Sequence, residues 1–250
     1  MADPAVVKPI AKDRGTPPAA RTCADFNRYV RDVGVKDAHG KEHPGWAGVT
    51  TFDLAFRVGR ASAAKRVTRA FRCTQAGNVV VYFSSIAACT ADCHPVIGTI
   101  ACVPVSGEVC LEVTVPVELG ATVRPTRLDW KPADGAARLP GCAAEKARWD
   151  AAVEAHEAHH ASQVQALLEA ERAKQGSGKT FVACAPTEPD ARRKLKQQVD
   201  EYRAGGWRKD AAQTAARWEA EMNAWHTTPA GQPLIEINCG ICGGAPPPVT

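Results

Sequence analysis

Residues 156 to 160 read His-Glu-Ala-His-His, so His156, Glu157 and His160 stand at the spacing H-E-x-x-H. On an α-helix, at 100° per residue, the two histidines lie about 40° apart and one turn apart, and both imidazoles leave the same face. That is the geometry of two nitrogen ligands on one tetrahedral zinc ion. With a third protein ligand the ion keeps one position for water and lowers that water's pKa towards about 7. Glu157, next to the first ligand, would act as general base when the water attacks an amide carbonyl.

The helix that must carry these residues is written in the flanking sequence. From Ala143 to Lys174 nearly every residue is a strong helix former, with no Gly or Pro until Gly176. Trp149, Val153, Val164 and Leu167 recur at steps of three and four residues, which predicts a buried stripe interrupted by His156 and His160. Glu157 then points about 55° off the stripe's centre, and His159 more than about 90° away, towards solvent. Buried imidazoles need partners, and a metal taking a nitrogen from each supplies them. Two satisfied core histidines, or a metal held only for structure, are the other readings. A purely structural site has little need of a carboxylate beside its first ligand.

His156, Glu157 and His160 resemble the signature of the zincin metallopeptidases, in which the Glu is general base. More loosely, the plan from about residue 29 to 231 resembles a poorly characterised group of bacterial secreted zinc peptidases. It has a strand-rich first half containing Gly-Trp-Ala-Gly-Val-Thr-Thr-Phe-Asp-Leu (45–54), the HExxH helix, and a later helix. The residues after His160 lack the Gly-x-x-His continuation of metzincins. The resemblance to the secreted group implies a third ligand some sixty residues on, in an aromatic-Asp-x-x-Thr segment. Here Trp-His-Thr-Thr-Pro-Ala-Gly occupies that interval, with His226 in the Asp position and Pro229 in the Thr position. A rival follows from geometry: helices packed as a hairpin about a loop near residue 182 would bring Asp200 and Glu201 level with His160. Glu219 and Glu221 are further candidates. Nothing in the sequence singles out Tyr202, His39, His43 or His94 as a transition-state donor.

The rest of the chain must build a scaffold for this helix. Its 250 residues, 45% hydrophobic, suffice for a core. Residues 1–20, rich in Pro and small residues, read as a flexible lead-in. Within the strand-rich half, 21–140, the runs at 49–58, 78–86, 96–105 and 109–117 are β-branched and broken by Gly, Pro and Asn. The gaps between them are too short for crossover helices, which predicts antiparallel pairing. The helical half, 141–228, continues from Pro189 to Tyr202, breaks at Gly205 and Gly206, and resumes from about Asp210 to Trp225. Residues 229–250 form a tail containing Cys-Gly-Ile-Cys. The expected fold class is α+β.

A net charge of +4 and a pI near 8.5 fall well short of a nucleic-acid stripe, and the run from Arg192 to Lys196 reads as a solvated helix face. Gln-Gly-Ser-Gly-Lys at 175–179 lacks the spacing of a phosphate loop. No apolar stretch reaches the roughly 18 residues of a membrane span. Ten cysteines, an even number, point to disulfides and an exported protein, although no signal peptide is visible. Local disulfides are the simple reading of Cys89, Cys93, Cys102 and Cys110, with a structural zinc at Cys-Thr-Ala-Asp-Cys-His the alternative. Cys142 and Cys184 flank a helix of about 45 Å and should not pair with each other unless that helix is broken. Cys239 and Cys242 are their candidate partners. These features predict a zinc metallopeptidase (one Zn2+ on His156, His160 and His226) acting on protein, peptide or peptidoglycan peptide, with no nucleic-acid partner. The alternatives are an exported binding or adhesion module without catalysis, or an exported peptidase toxin.

Overall fold

The long run of helix formers is one helix of 36 residues, Pro140–Gln175, in the computed structural model. The structure describes residues 5–13, 23–75, 79–94, 102–129, 140–176, 178–231 and 237–241. In chain order the strands are β1 (Val6–Val7), β2 (Ala11–Asp13), β3 (Val35–Lys36), β4 (Glu42–His43), β5 (Gly48–Val58), β6 (Lys65–Val67), β7 (Phe71–Gln75), β8 (Val79–Phe83), β9 (Val103–Pro104), β10 (Val109–Val115), β11 (Val117–Leu128) and β12 (Lys179–Ala185). The helices are α1 (Cys23–Asp32), α2 (Ile86–Asp92), α3 (Pro140–Gln175), α4 (Glu188–Glu201) and α5 (Trp207–Trp225), with a π turn at Tyr202–Gly206 where the Gly pair was expected to interrupt. The fold is α+β.

The chain divides into two compact units. The first comprises Met1–Ala55, Leu119–Glu171 and Gln213–Thr250. Its sheet pairs β5, β1 and β2 with β11, and its core gathers Phe26, Val30, Val35, Val49, Leu128, Trp149, Val153 and Ile237. Phe26 and Trp149 meet edge to face at 5.3 Å, which adds to the area they bury. The second unit comprises Phe56–Glu118 and Arg172–Ala212. There β10 lies between β12 and β6, antiparallel to both, and β7 lies between β8 and β9, again antiparallel. Leu111, Val113 and Val115 of β10 pack with Ala191, Leu195 and Val199, which recur at helical spacing on α4.

Several expectations need correction. Residues 5–13 are not a loose lead-in: Val6 and Val7 pair in parallel with Thr122 and Val123, and Ala11 to Asp13 with Thr126 to Leu128. A segment rich in small residues and Pro is ordered by the backbone hydrogen bonds that β11 offers. In the tail, Ile237 is buried and Cys239 is tied to Cys23. The turn expected near residue 182 is strand β12, so the hairpin that would have raised Asp200 and Glu201 does not form. Residues 84–86, expected as the end of a strand, instead lead into α2, which starts at Ile86 and is capped by the Ser85 hydroxyl, which accepts from Ala88 N. Most of the expected strand at 96–105 lies outside the described residues, apart from β9.

The disulfides are Cys23–Cys239, Cys73–Cys93, Cys89–Cys102 and Cys110–Cys184. Cys142 is also disulfide-bonded, and no described cysteine is free. Cys89, Cys93 and Cys102 are in local pairs as expected, whereas Cys110, expected to pair locally as well, is joined to a strand 74 residues away; Cys142 and Cys184 are indeed not joined to each other. The partner of Cys184 is Cys110, directly opposite it in the ladder, and not Cys239 or Cys242. Cys89, Cys93 and Cys102 cluster closely, but their sulfurs are spent in disulfides and offer no thiolates to a metal. Such a set of disulfides belongs to an oxidising compartment. Among the described residues no helix is long and apolar enough to cross a membrane.

Candidate metal centre

The buried stripe of α3 runs through Trp149, Val153, Glu157, Ala161, Val164 and Leu168. This differs from the expected stripe by one position. Leu168 takes the place of Leu167, and Glu157 lies on the stripe at 1% exposure where an outward tilt was expected. His160 is buried at the edge of the stripe, and His156 is half-buried on its flank. His159 is exposed, as expected, but its ring stacks on Trp225 at 4.0 Å.

His156 and His160 converge with His226, which follows directly on α5. The Nε2 atoms of His156 and His226 are 3.2 Å apart, those of His160 and His156 3.2 Å, and those of His160 and His226 2.9 Å. His226 is set by a tight turn: its N–H donates to Asn223 O, and the Thr227 and Thr228 hydroxyls donate to Ala224 O and Trp225 O. Gly231 closes that turn, since a Cβ there would stand 2.0 Å from Trp225 O. The ring of Trp225 lies 4.8 Å from that of His156 and 5.0 Å from that of His160, and Trp46 meets His226 edge to face at 5.3 Å.

Protonation logic shows what such a triangle suits. His160 Nδ1 is 2.8 Å from Gln163 Oε1, an oxygen that can only accept, so the ring proton sits on Nδ1 and Nε2 presents a bare lone pair. Burial pushes the pKa of His156 and of His160 down to about 4, aided by neighbouring histidines, and burial also lowers that of His226. Three neutral imidazoles cannot satisfy three mutual contacts when one nitrogen carries no hydrogen, because at least one pair must face lone pair to lone pair or N–H to N–H. A cation between them satisfies all three. Nitrogens on a tetrahedral zinc at its usual bond length are about 3.3 Å apart, within a few tenths of an ångström of the observed separations. The donor set therefore fits zinc.

Glu157 stands outside this cluster. Thr50 Oγ1 donates to its Oε2 at 2.7 Å, and burial raises its pKa to about 7 against the opposing effect of that hydrogen bond. It also lines a cavity of about 730 Å³ bounded by Val7 to Ile10, Pro125 and α3. The three histidines do not line that cavity.

The remaining candidates lie elsewhere. Asp200 pairs with Lys196, and Glu201 accepts from Gln197, both along α4. Glu219 and Glu221 are exposed on α5. His43 pairs with Asp37 at 2.9 Å, His39 with Asp53 at 3.6 Å, and Tyr202 donates to Asp210. The sequence reading missed Gln163, Thr50 and Gly48. Gln163 was legible as a partner one turn from His160, whereas Thr50 and Gly48 come from a distant strand and carry no local signal.

No family model matches this chain, and neither the curated proteins nor the solved structures yield a match.

Proposed function

We propose that this protein is a zinc-dependent metallopeptidase of an exported, oxidising setting, with His156, His160 and His226 as ligands and Glu157 as general base. One observation carries the reading: three neutral imidazole nitrogens, two from α3 and one from the turn after α5, meet within 3.2 Å of one another. Zinc, when bound, supplies a Lewis acid for the amide carbonyl and a lowered pKa for water. The chain's own parts hold it, with Gln163 fixing the tautomer of His160 and Trp225 covering the rings. Glu157 follows the first ligand directly, with a pKa raised to about 7 that suits proton exchange near neutrality. The substrate class is protein or peptide, including the peptide of peptidoglycan.

The test has two arms. Protein dialysed against a weak chelator should retain one zinc, and His156→Ala or His160→Ala should abolish it; full zinc in both variants would remove the assignment. Glu157→Gln should keep zinc and lower amide hydrolysis by about 100- to 10,000-fold. A second reading, a disulfide-stabilised binding module with a structural metal, is favoured by the near-complete burial of Glu157. Stoichiometric zinc with no hydrolysis of any peptide, and no effect of Glu157→Gln, would select it.

A further inference from the structure

Side chains alternate along a strand, so residues 48 and 50 of β5 face the same side, and that side meets Glu157 of α3. Their contributions differ in kind. Thr50 Oγ1 donates to Oε2 at 2.7 Å, while Gly48 withholds a side chain. A Cβ at position 48 would lie 2.5 Å from Oε1, and 2.9 Å from both the carboxyl carbon and Val153 Cγ1. One oxygen is thus held by a hydroxyl and the other fits where a side chain is missing.

We infer that Gly48 and Thr50 are positioning residues that fix the carboxylate of Glu157 for proton abstraction, an inference that rests on the metallopeptidase reading. In that step the carboxylate takes a proton from water. The released O–H electron pair forms the bond to the carbonyl carbon as the C=O π pair moves onto the carbonyl oxygen; when that pair returns, the C–N bond breaks and its electrons take the proton back from Glu157 as the amine leaves. A glutamate has three rotatable side-chain bonds, and without a partner its carboxylate would be free to turn away. The cradle removes that freedom. It also accounts for an acid on the apolar face of α3, which packing alone would disfavour.

The test compares Thr50→Val, Thr50→Ser and Gly48→Ala with wild type, all zinc-loaded. Thr50→Val should lower kcat about 10- to 100-fold, the scale of a displaced catalytic group, with KM and zinc content unchanged, and Thr50→Ser should restore most of the loss. A structural role alone would not give rescue by the hydroxyl together with a pure kcat effect. Crystal structures supply a readout independent of turnover: the Glu157 carboxylate should be rotated in Thr50→Val and in Gly48→Ala, and in place in Thr50→Ser. Should Thr50→Val fail to fold, Gly48→Ala carries the same test from the other oxygen. An unmoved carboxylate, or kcat within twofold of wild type, overturns the inference. Wild type that hydrolyses nothing overturns the metallopeptidase reading instead, and the crystal structures still decide whether the cradle positions Glu157.

Discussion

If His156, His160 and His226 hold zinc as proposed, replacing Gln163 by Ala removes a group that would not touch the metal yet should weaken its binding by a calculable amount. Gln163 Oε1 accepts from His160 Nδ1 at 2.8 Å, so it holds the tautomer that leaves Nε2 bare and fixes the ring's rotation. Loss of such a partner typically costs 10- to 100-fold in metal affinity. Gln163 is half-buried, so water can replace part of the bond, which places the effect near the lower end. Tenfold corresponds to about 1.4 kcal/mol. At a zinc concentration a hundred times the wild-type Kd, zinc stabilises wild type by about 2.7 kcal/mol and the variant by about 1.4 kcal/mol. The difference corresponds to a zinc-dependent Tm shift smaller by about 3–5 °C in a chain of this size. Competition with a fluorescent zinc chelator measures Kd directly, and thermal scans with and without zinc check the same quantity. A Kd within twofold of wild type would refute the idea that Gln163 sets His160, and so would a Gln163→Glu variant that binds zinc no better than Gln163→Ala.

Gly231→Ala should drive the turn after α5 apart, because the new Cβ would meet Trp225 O, and zinc affinity should fall more than tenfold as His226 shifts; unchanged affinity by the same chelator competition would show that His226 is set otherwise. Replacing both Cys110 and Cys184 by Ala opens a link spanning 74 residues and should cost about 4 kcal/mol or less, the chain-entropy figure being an upper bound where other disulfides already shorten the loop. Denaturant midpoints measure it. Glu145 is held below its usual pKa, first by the hydrogen bond from Arg148 and also by Asn238 N–H. A depressed carboxylate contributes stability that is fully present above its unfolded pKa and lost as pH falls through its folded one. The stability lost in Glu145→Gln should therefore be largest at neutral pH and fade in acid below the usual carboxylate range, as urea titrations across pH would reveal; a pH-independent difference would contradict the assigned partners.

The elements that sequence made legible are those specified locally. The long run of helix formers became α3, Pro189 and the Gly205–Gly206 pair bounded α4 and α5 closely, and the β-branched runs became β5, β8 and β10. The misses share a cause, in that their order comes from distant partners. Val6 and Val7 are strand only because β11 presents an open row of backbone groups, and the apolar run at 179–185 is too short for periodicity to separate strand from helix. Cys110 and Cys184 pair because two strands remote in sequence set them opposite each other, a register that no spacing rule encodes.

The site divides along the same line. His156 and His160 were legible because one helical turn is a local relation, and Gln163 could have been read from the same turn. His226 was legible through resemblance and not through geometry. Glu157 is the instructive case: apolar side chains alone define a face from which the acid points away, whereas the buried face passes through Glu157 and Leu168. Burial of an acid is affordable only where the opposite surface has been shaped to receive it, and here that surface is residues 48 and 50, more than a hundred positions earlier. Sequence periodicity weighs each side chain by its own transfer cost, whereas the fold weighs it together with its partner. A polar residue falling at the centre of a buried stripe therefore marks the place to search the facing strand for a hydroxyl and a missing side chain.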